Sequence, residues 1–381
     1  MRSVTEQRKL RDDIKVFCTY IFFILMTFSK SMGMSSQDKA YYCIAGISTL
    51  VWCVGVLCMQ YKTRDLIVIA ILMAIALISL YITHSPVIVM LAMSLIILKD
   101  MNIGNVIKAM GITWMAVIIA AMIGTVAGII PFRTYPDEKI YIWIYPGHNP
   151  FHEAVALFFI YYYIVRNKAT ILSAVVFTIV NIVIFNLTTS SGGFIIGMAI
   201  ILGYTLWHYT NKREGLWKIL SICMLIANVA LVIFSFIIGS MYHKGNVWSE
   251  RWDHIFTNRV HVMRDMLDAY DILPFGNRLN GRIDYELMDN AFLDLLVEYG
   301  FVIFLAVMVM YGLVIRGFFI RKRYREIMNC SIMLAYGIVE QMMRNCFLNF
   351  TLLYFAWVIW DNWSEDTRTE EKAFEEDTSY I

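Results

Sequence analysis

The sequence predicts an all-α fold: a polytopic membrane helix bundle of about 12 transmembrane helices, with a large extracytoplasmic loop between helices 9 and 10. Three observations predict it. First, 59% of the 381 residues are hydrophobic and only 16% are charged, where a soluble domain is about 45–50% apolar and about 25% charged. Second, the excess is gathered in runs of roughly 16–22 residues, enough to cross a hydrocarbon core of ~30 Å as a helix. Barrel strands would instead be ~10 residues of alternating polarity. Third, Lys and Arg recur in every second connection, which is how short cytoplasmic loops are marked.

In chain order, spans are read near 16–34, 40–60, 66–83, 86–98, 110–131, 151–165, 169–187, 192–209, 217–240, 288–315, 327–344 and 346–360. Met1 to Lys15 is charged and enters the first run without a small-residue cleavage site, so it reads as a retained first helix and not a cleaved signal. Arg8, Lys9, Arg11 and Lys15 precede that run. Lys62 and Arg64, Lys99 and Lys108, Arg166 and Lys168, and Lys212, Arg213 and Lys218 fill alternate connections, and Arg316, Arg321, Lys322, Arg323 and Arg325 form the strongest cluster. With twelve spans these groups share one side, which places both termini in the cytoplasm. The opposite side receives two longer loops, about 132–150 and 241–287. Residues 1–363 thus read as one transmembrane domain, and 364–381 as an acidic, solvated cytoplasmic tail.

The net charge of +2, with no basic tract interleaved with aromatics, gives no case for a nucleic-acid partner. The seven cysteines lie in or at the edge of apolar runs without CxxC or Cys/His spacing, so they read as small core residues with no metal and no disulfide.

Polar chemistry concentrates in the outer loops and the helix ends beside them. From Trp252 to Tyr270 an apolar stripe of Trp252, Ile255, Phe256, Val260, Met263, Leu267 and Tyr270 recurs at about 100° per residue, so one amphipathic helix is expected there. Arg251 and Arg264 read either as contacts to lipid headgroups or as substrate contacts, and Arg264 also has Asp268 as an i,i+4 partner. Arg259 falls at the edge of the apolar stripe, where an Arg calls for an anionic partner and its planar fork suits phosphate. Arg278 and Arg282 follow in the same loop. Asp289 reads as a helix cap or as a base, whereas Asp294 and Glu298 stand inside an apolar run, where carboxylates face a cavity or a partner. Glu340 and Arg344 read as an i,i+4 ion pair on one helix face or as groups of the outer surface. His148, Asn149 and His152 read as polar contacts to substrate; two histidines without a third donor make no metal site. Thr188-Thr189-Ser190-Ser191-Gly192-Gly193 marks a helix N-terminus, which receives an anion or closes as a capped turn.

Several of these segments together resemble one family. Leu273-Pro274-Phe275-Gly276, then Met288-Asp289-Asn290-Ala291-Phe292-Leu293, then Glu298-Tyr299-Gly300-Phe301 resemble the closing segment of Wzy-type bacterial polysaccharide polymerases. These enzymes of capsule, exopolysaccharide and O-antigen assembly are related to O-antigen ligases. Gly147-His148-Asn149, Thr189-Ser190-Ser191, and Glu340 with Arg344-Asn345 and Asn349 agree in order, so the resemblance covers roughly the last two thirds of the chain. One departure is plain: relatives often carry Ser-Arg where this chain reads Ser190-Ser191-Gly192-Gly193.

The resemblance implies a glycosyltransferase of the bacterial inner membrane, without metal or cofactor. It would transfer a growing glycan from one undecaprenyl-diphosphate carrier to the sugar of another lipid-linked repeat unit, on the outer face. Its partners would be those lipid-linked oligosaccharides, membrane lipids, a chain-length regulator and a flippase. Carried onto this chain, Arg259 and Arg344 would hold the diphosphate and Asp289 would be the base. His148, Asn149, Arg251, Arg264, Arg278, Asn290 and Glu340 would bind substrate. Two alternatives stand beside it. One is an O-antigen-ligase-like transferase; the other is a transporter or flippase of lipid-linked sugars, which predicts symmetric repeats and charges near mid-span.

Overall fold

The computed structural model describes residues 4–34, 38–134, 140–142, 144–145, 147–255, 259–279 and 290–363. The chain opens with helices α1 (Val4–Ser31), α2 (Lys39–Leu57), α3 (Thr63–Thr83), α4 (Val87–Ile97) and α5 (Ile103–Val126). A short antiparallel ribbon follows, β1 (Phe132–Thr134) with β2 (Ile140–Ile142), in the register Arg133 opposite Tyr141. Then come α6 (His148–Arg166), α7 (Ile171–Thr188), α8 (Ser191–Thr210) and α9 (Glu214–Met241). Shorter helices α10 (Val247–Ile255), α11 (Val260–Ala269) and α12 (Ala291–Glu298) precede α13 (Phe301–Ile320), α14 (Tyr324–Tyr336) and α15 (Phe355–Trp360).

Among the described residues eight helices, α1, α2, α3, α5, α7, α8, α9 and α13, are long and apolar enough to cross a membrane. The chain is thus a helical membrane protein by the length and composition of its helices. Two shorter apolar stretches, Val87–Ile97 and Phe350–Trp360, accompany them. α6 matches the eight in length but carries His148, Asn149, His152 and Glu153 in its first two turns.

The last three expected spans take a different form. The run 288–315 is two helices, because Gly300 turns the chain at φ +89° between α12 and α13. The run 327–344 is helical only to Tyr336, after which Glu340 is extended and Gln341–Arg344 forms a 3₁₀ turn. The run 346–360 begins as a second 3₁₀ turn, Phe350–Tyr354, capped by Asn349, and becomes α-helical only in α15. Buried polar side chains hold that turn: Tyr311 Oη lies 2.8 Å from Thr351 Oγ1 and accepts from Asn349 Nδ2 at 3.0 Å. The expected single helix 252–270 is likewise two, α10 and α11, with Arg259 at the N-cap position of α11.

Two compact units share the chain. The first comprises Met1–Ile67, Met93–Thr210 and Ala356–Ile381. In it α6 packs against α5, α7 and α8, and α1 packs against α2 and α5. Aromatics fill the seams: Phe159 stacks on Phe177 at 4.7 Å and Tyr163 on Tyr204 at 4.9 Å. Lys99, buried at the turn after α4, donates to the Gln60 carbonyl and pairs with Asp65 at 3.2 Å and Asp100 at 3.0 Å.

The second unit comprises Val68–Ala92 and Asn211–Phe355. In it α9 packs against α11 and α14, and α12 against α13 and the 341–344 turn. Its signature is a backbone crossing of two sequence motifs. Phe301 and Val302 N–H donate to the Leu273 and Pro274 carbonyls, both at 3.1 Å, while Asn277 N–H donates to the Glu298 carbonyl at 3.0 Å. Gly276 (φ +85°) and Gly300 (φ +89°) meet at that crossing, and a Cβ on either would collide with backbone of the other strand of the crossing. Both the left-handed conformation and the close approach require glycine here.

Candidate functional site

α12 is where charge enters the apolar interior of the second unit. Its N-terminus is set by Asn290, whose Oδ1 accepts from Phe292 and Leu293 N–H, both at 3.1 Å. The cap expected of Asp289 is therefore made by its neighbour, and Asp289 itself lies outside the described residues. Ala291 N–H donates to the Gly337 carbonyl at 2.8 Å, tying the start of α12 to the end of α14.

Phe292, Leu293, Leu295 and Val297 are buried, as the apolar character of α12 demands, but so are Asp294 and Glu298. These two are i,i+4 neighbours on one face, where like charges repel. Burial raises that cost, since a buried carboxylate is tolerated only with a partner. Arg344 is a partner to both: its Nη1 lies 3.2 Å from Asp294 Oδ2 and 2.5 Å from Glu298 Oε2, while Nη2 donates to Gln341 Oε1 at 2.6 Å. Glu340 and Arg344 do not share the helix face expected of them: the chain is extended at Glu340 and turns as 3₁₀ from Gln341. Glu340 instead faces Arg259, with 3.7 Å between Oε1 and Nη2, and Arg259 Nη1 donates to the Val339 carbonyl at 2.9 Å.

The two arginines thus meet on one short segment, 339–344, beside the start of α12. Both guanidinium side chains keep a partly open face, 13% for Arg259 and 19% for Arg344. Tyr299, next to Glu298 in the chain, is fully buried and its hydroxyl lies 2.8 Å from Ser85 Oγ. The Arg321–Arg325 cluster stands at the far end of α13. A helix of 20 residues separates its ends by about 30 Å.

The remaining expected residues are placed as follows. Asn290 is spent on its cap and touches Met263 Sδ. Arg251 and Arg278 are exposed. Arg264 donates to Asp268 Oδ2 and to the Ser240 carbonyl, both at 2.8 Å, so its i,i+4 partner is present. His148 and Asn149 belong to the first unit, in the opening turn of α6. Arg282 lies outside the described residues.

His152 is not available to a substrate. It is wholly buried, with Nδ1 3.1 Å from Thr188 Oγ1 and Nε2 2.9 Å from Asn181 Oδ1. The glycines of α8 make room for this knot, since a Cβ on Gly193 would strike the His152 ring and one on Gly197 the Asn181 amide. Thr188 and Ser190 are also bound locally, Ser190 N–H to Thr188 Oγ1 at 3.4 Å, so this segment closes as a turn.

Sequence reasoning flagged Asp294 and Glu298 as needing a partner but did not supply it. Their spacing in an octet otherwise rich in large apolar residues is the signal that a cation must arrive from elsewhere. It does not say which one. Gln341 gave no signal at all, because its role depends on the 3₁₀ turn. Comparison of the chain with protein-family models, with curated proteins and with solved structures finds no match.

Proposed function

We propose that the chain is a polysaccharide polymerase of the bacterial inner membrane. It transfers a growing glycan from one undecaprenyl-diphosphate carrier to the sugar of another lipid-linked repeat unit on the outer face. The observation that carries this reading is the meeting of Arg259 with the segment 339–344 that carries Arg344, far along the chain from it. Their position at the opposite end of α13 from the Arg321–Arg325 cluster supports an outer-face site, because the basic cluster marks the cytoplasmic side. The proposed topology keeps about twelve spans and cytoplasmic termini, with α12 and the 337–345 segment as interrupted elements.

The chemistry suits such a site. A diphosphate is an activated leaving group, so the protein's work is to position both substrates and to neutralise charge as it develops. Arg259 and Arg344 would bind the departing diphosphate, with Glu340, Asp294 and Glu298 holding the guanidinium groups in place beforehand. Asp289, next to the α12 cap, is the carboxylate that the family resemblance casts as base.

The test is complementation of a polymerase-null strain, scoring the length of surface polysaccharide at matched membrane abundance. Wild type restores long chains, and Arg259→Ala and Arg344→Lys leave mostly single repeat units. Normal polymer from Arg259→Ala would remove the site. A glycan moved intact to a lipid or protein acceptor would point to the ligase-like transferase. A second reading draws on a specific observation: charged groups gathered at helix interruptions also suit a transporter of lipid-linked sugars. Lipid-linked units that change sides of the membrane without lengthening would establish it.

A further inference from the structure

The amphipathic stretch expected over 252–270 divides into helices with different surroundings. α11 buries Val260, Val262, Met263 and Met266 against protein. α10 leaves Val247, Trp248 and Trp252 exposed, Trp248 to 69% and Trp252 to 36%. The two tryptophans stand at i and i+4, so they share one face of the helix, and the exposed Arg251 flanks them. Neighbouring large apolar side chains left open in this way mark an interaction surface.

What covers that face follows from where α10 sits. It begins six residues past Met241, the end of α9. α9 is a membrane-crossing helix by length and composition, and Ile226, Ile233, Ile237 and Met241 are exposed along it. Trp252 packs edge-on against Phe234 of α9, with 5.6 Å between ring centroids, and Phe234 is itself exposed. Phe234 stands sixteen residues beyond Lys218, the last charged residue of α9. At 1.5 Å per residue the two are about 24 Å apart along the axis, within a hydrocarbon core of about 30 Å. Lys212, Arg213 and Lys218 mark one membrane boundary. Trp252 therefore meets α9 close to the opposite boundary, and its face of α10 continues the exposed apolar side of α9. Indole rings settle at that headgroup level, where one edge is apolar and the other wet. An arginine beside them lays its stem along the apolar surface and sets its guanidinium among lipid phosphates.

Another side of α10 is fixed to protein. Asp253 is buried, and its Oδ1 accepts the N–H groups of Val260 at 2.8 Å and His261 at 3.0 Å. Val260 follows Arg259, so α10 is tied to the backbone that carries an arginine of the candidate site.

We propose that α10 is an interfacial helix, with Trp248 and Trp252 seated in the phospholipid surface at the end of α9 opposite Lys218 and Arg251 on the lipid phosphates. The assignment gives Arg251 to lipid and not to substrate, and it stands whether or not the chain polymerises glycan.

The experiment places the full-length protein in nanodiscs of plain phospholipid, or of phospholipid brominated either high on the acyl chain or near its end. The chain has ten tryptophans, so the Trp248 emission is read as wild type less Trp248→Phe, and the Trp252 emission as wild type less Trp252→Phe. Both emissions should lose most of their intensity to the shallow bromine, less to the deep one and little to aqueous iodide. Arg251→Glu sets like charge against the phosphates and should shift the Trp248 emission to the red. Quenching by iodide without quenching by bromine overturns the proposal and turns the tryptophan face to water, as a sugar or a soluble partner requires. Quenching by neither overturns it as well, because protein would then cover the face. An unchanged Trp248 spectrum in Arg251→Glu removes Arg251 from the lipid contact.

Discussion

The second unit buries a charged knot and the first a neutral one. Arg344 sits between Asp294 and Glu298, with a fifth of its side chain still exposed. His152 sits between Thr188 and Asn181, wholly enclosed. Both satisfy polar groups that water cannot reach, which is the condition for keeping them inside. They differ in what they hold in reserve. The neutral knot gains about 0.5–1.5 kcal/mol per hydrogen bond and is shut in by glycines against α8, so it has nothing to offer a ligand. The charged knot costs several kcal/mol of desolvation per ion, a cost that apolar packing would avoid. Buried charge with an open edge therefore points to use, and enclosed neutral polarity points to architecture.

Three substitutions break or sharpen that contrast. Arg344→Ala removes a cation that pairs with two buried carboxylates and should destabilise the protein by about 3–5 kcal/mol, read as a drop in melting temperature in detergent. Adding Asp294→Asn and Glu298→Gln should restore most of the melting temperature and none of the polymer. If Arg344→Ala melts with wild type, the charged knot is not stabilised as its geometry states. Next in size is Gly193→Ala, which drives a methyl group into the His152 ring and should cost about 1–3 kcal/mol. Combined with His152→Ala the clash disappears, and the double-mutant cycle should show coupling of about 0.5–3 kcal/mol. Additive losses would mean that the two side chains do not meet. The smallest effect belongs to Arg264→Ala, whose half-exposed pair with Asp268 is worth about 0.5 kcal/mol or less. A melting shift beyond a degree or two there would give Arg264 a structural importance that its contacts do not.

The resemblance motifs acquire a physical reason in the same unit. The Phe275-Gly276 and Tyr299-Gly300 pairs look like separate short signatures along the chain. In the fold they are one crossing, in which each glycine admits the other's backbone. Spacing alone could not show that, because the crossing joins loop to helix break and neither motif is periodic.

The helical membrane class and the long apolar helices α1, α2, α3, α5, α7, α8 and α9 were fixed by composition and hydropathy. Those properties act locally, since a residue run either can or cannot fill a hydrocarbon core as a helix. The caps at Asn102 and Thr170 belong to the same local order. What only the tertiary structure decided lies after residue 240. There, hydropathy alone reads 288–315 and 327–344 as straight spans, while backbone pairing with residues 273–277 and the Gly337 contact divide them. Likewise the sequence set Glu340 and Arg344 four apart, as though to pair with each other. The break at residue 340 gave Glu340 to Arg259 and Arg344 to α12. Partners of buried charges are chosen by convergence in space, and convergence is the property that a linear pattern does not carry.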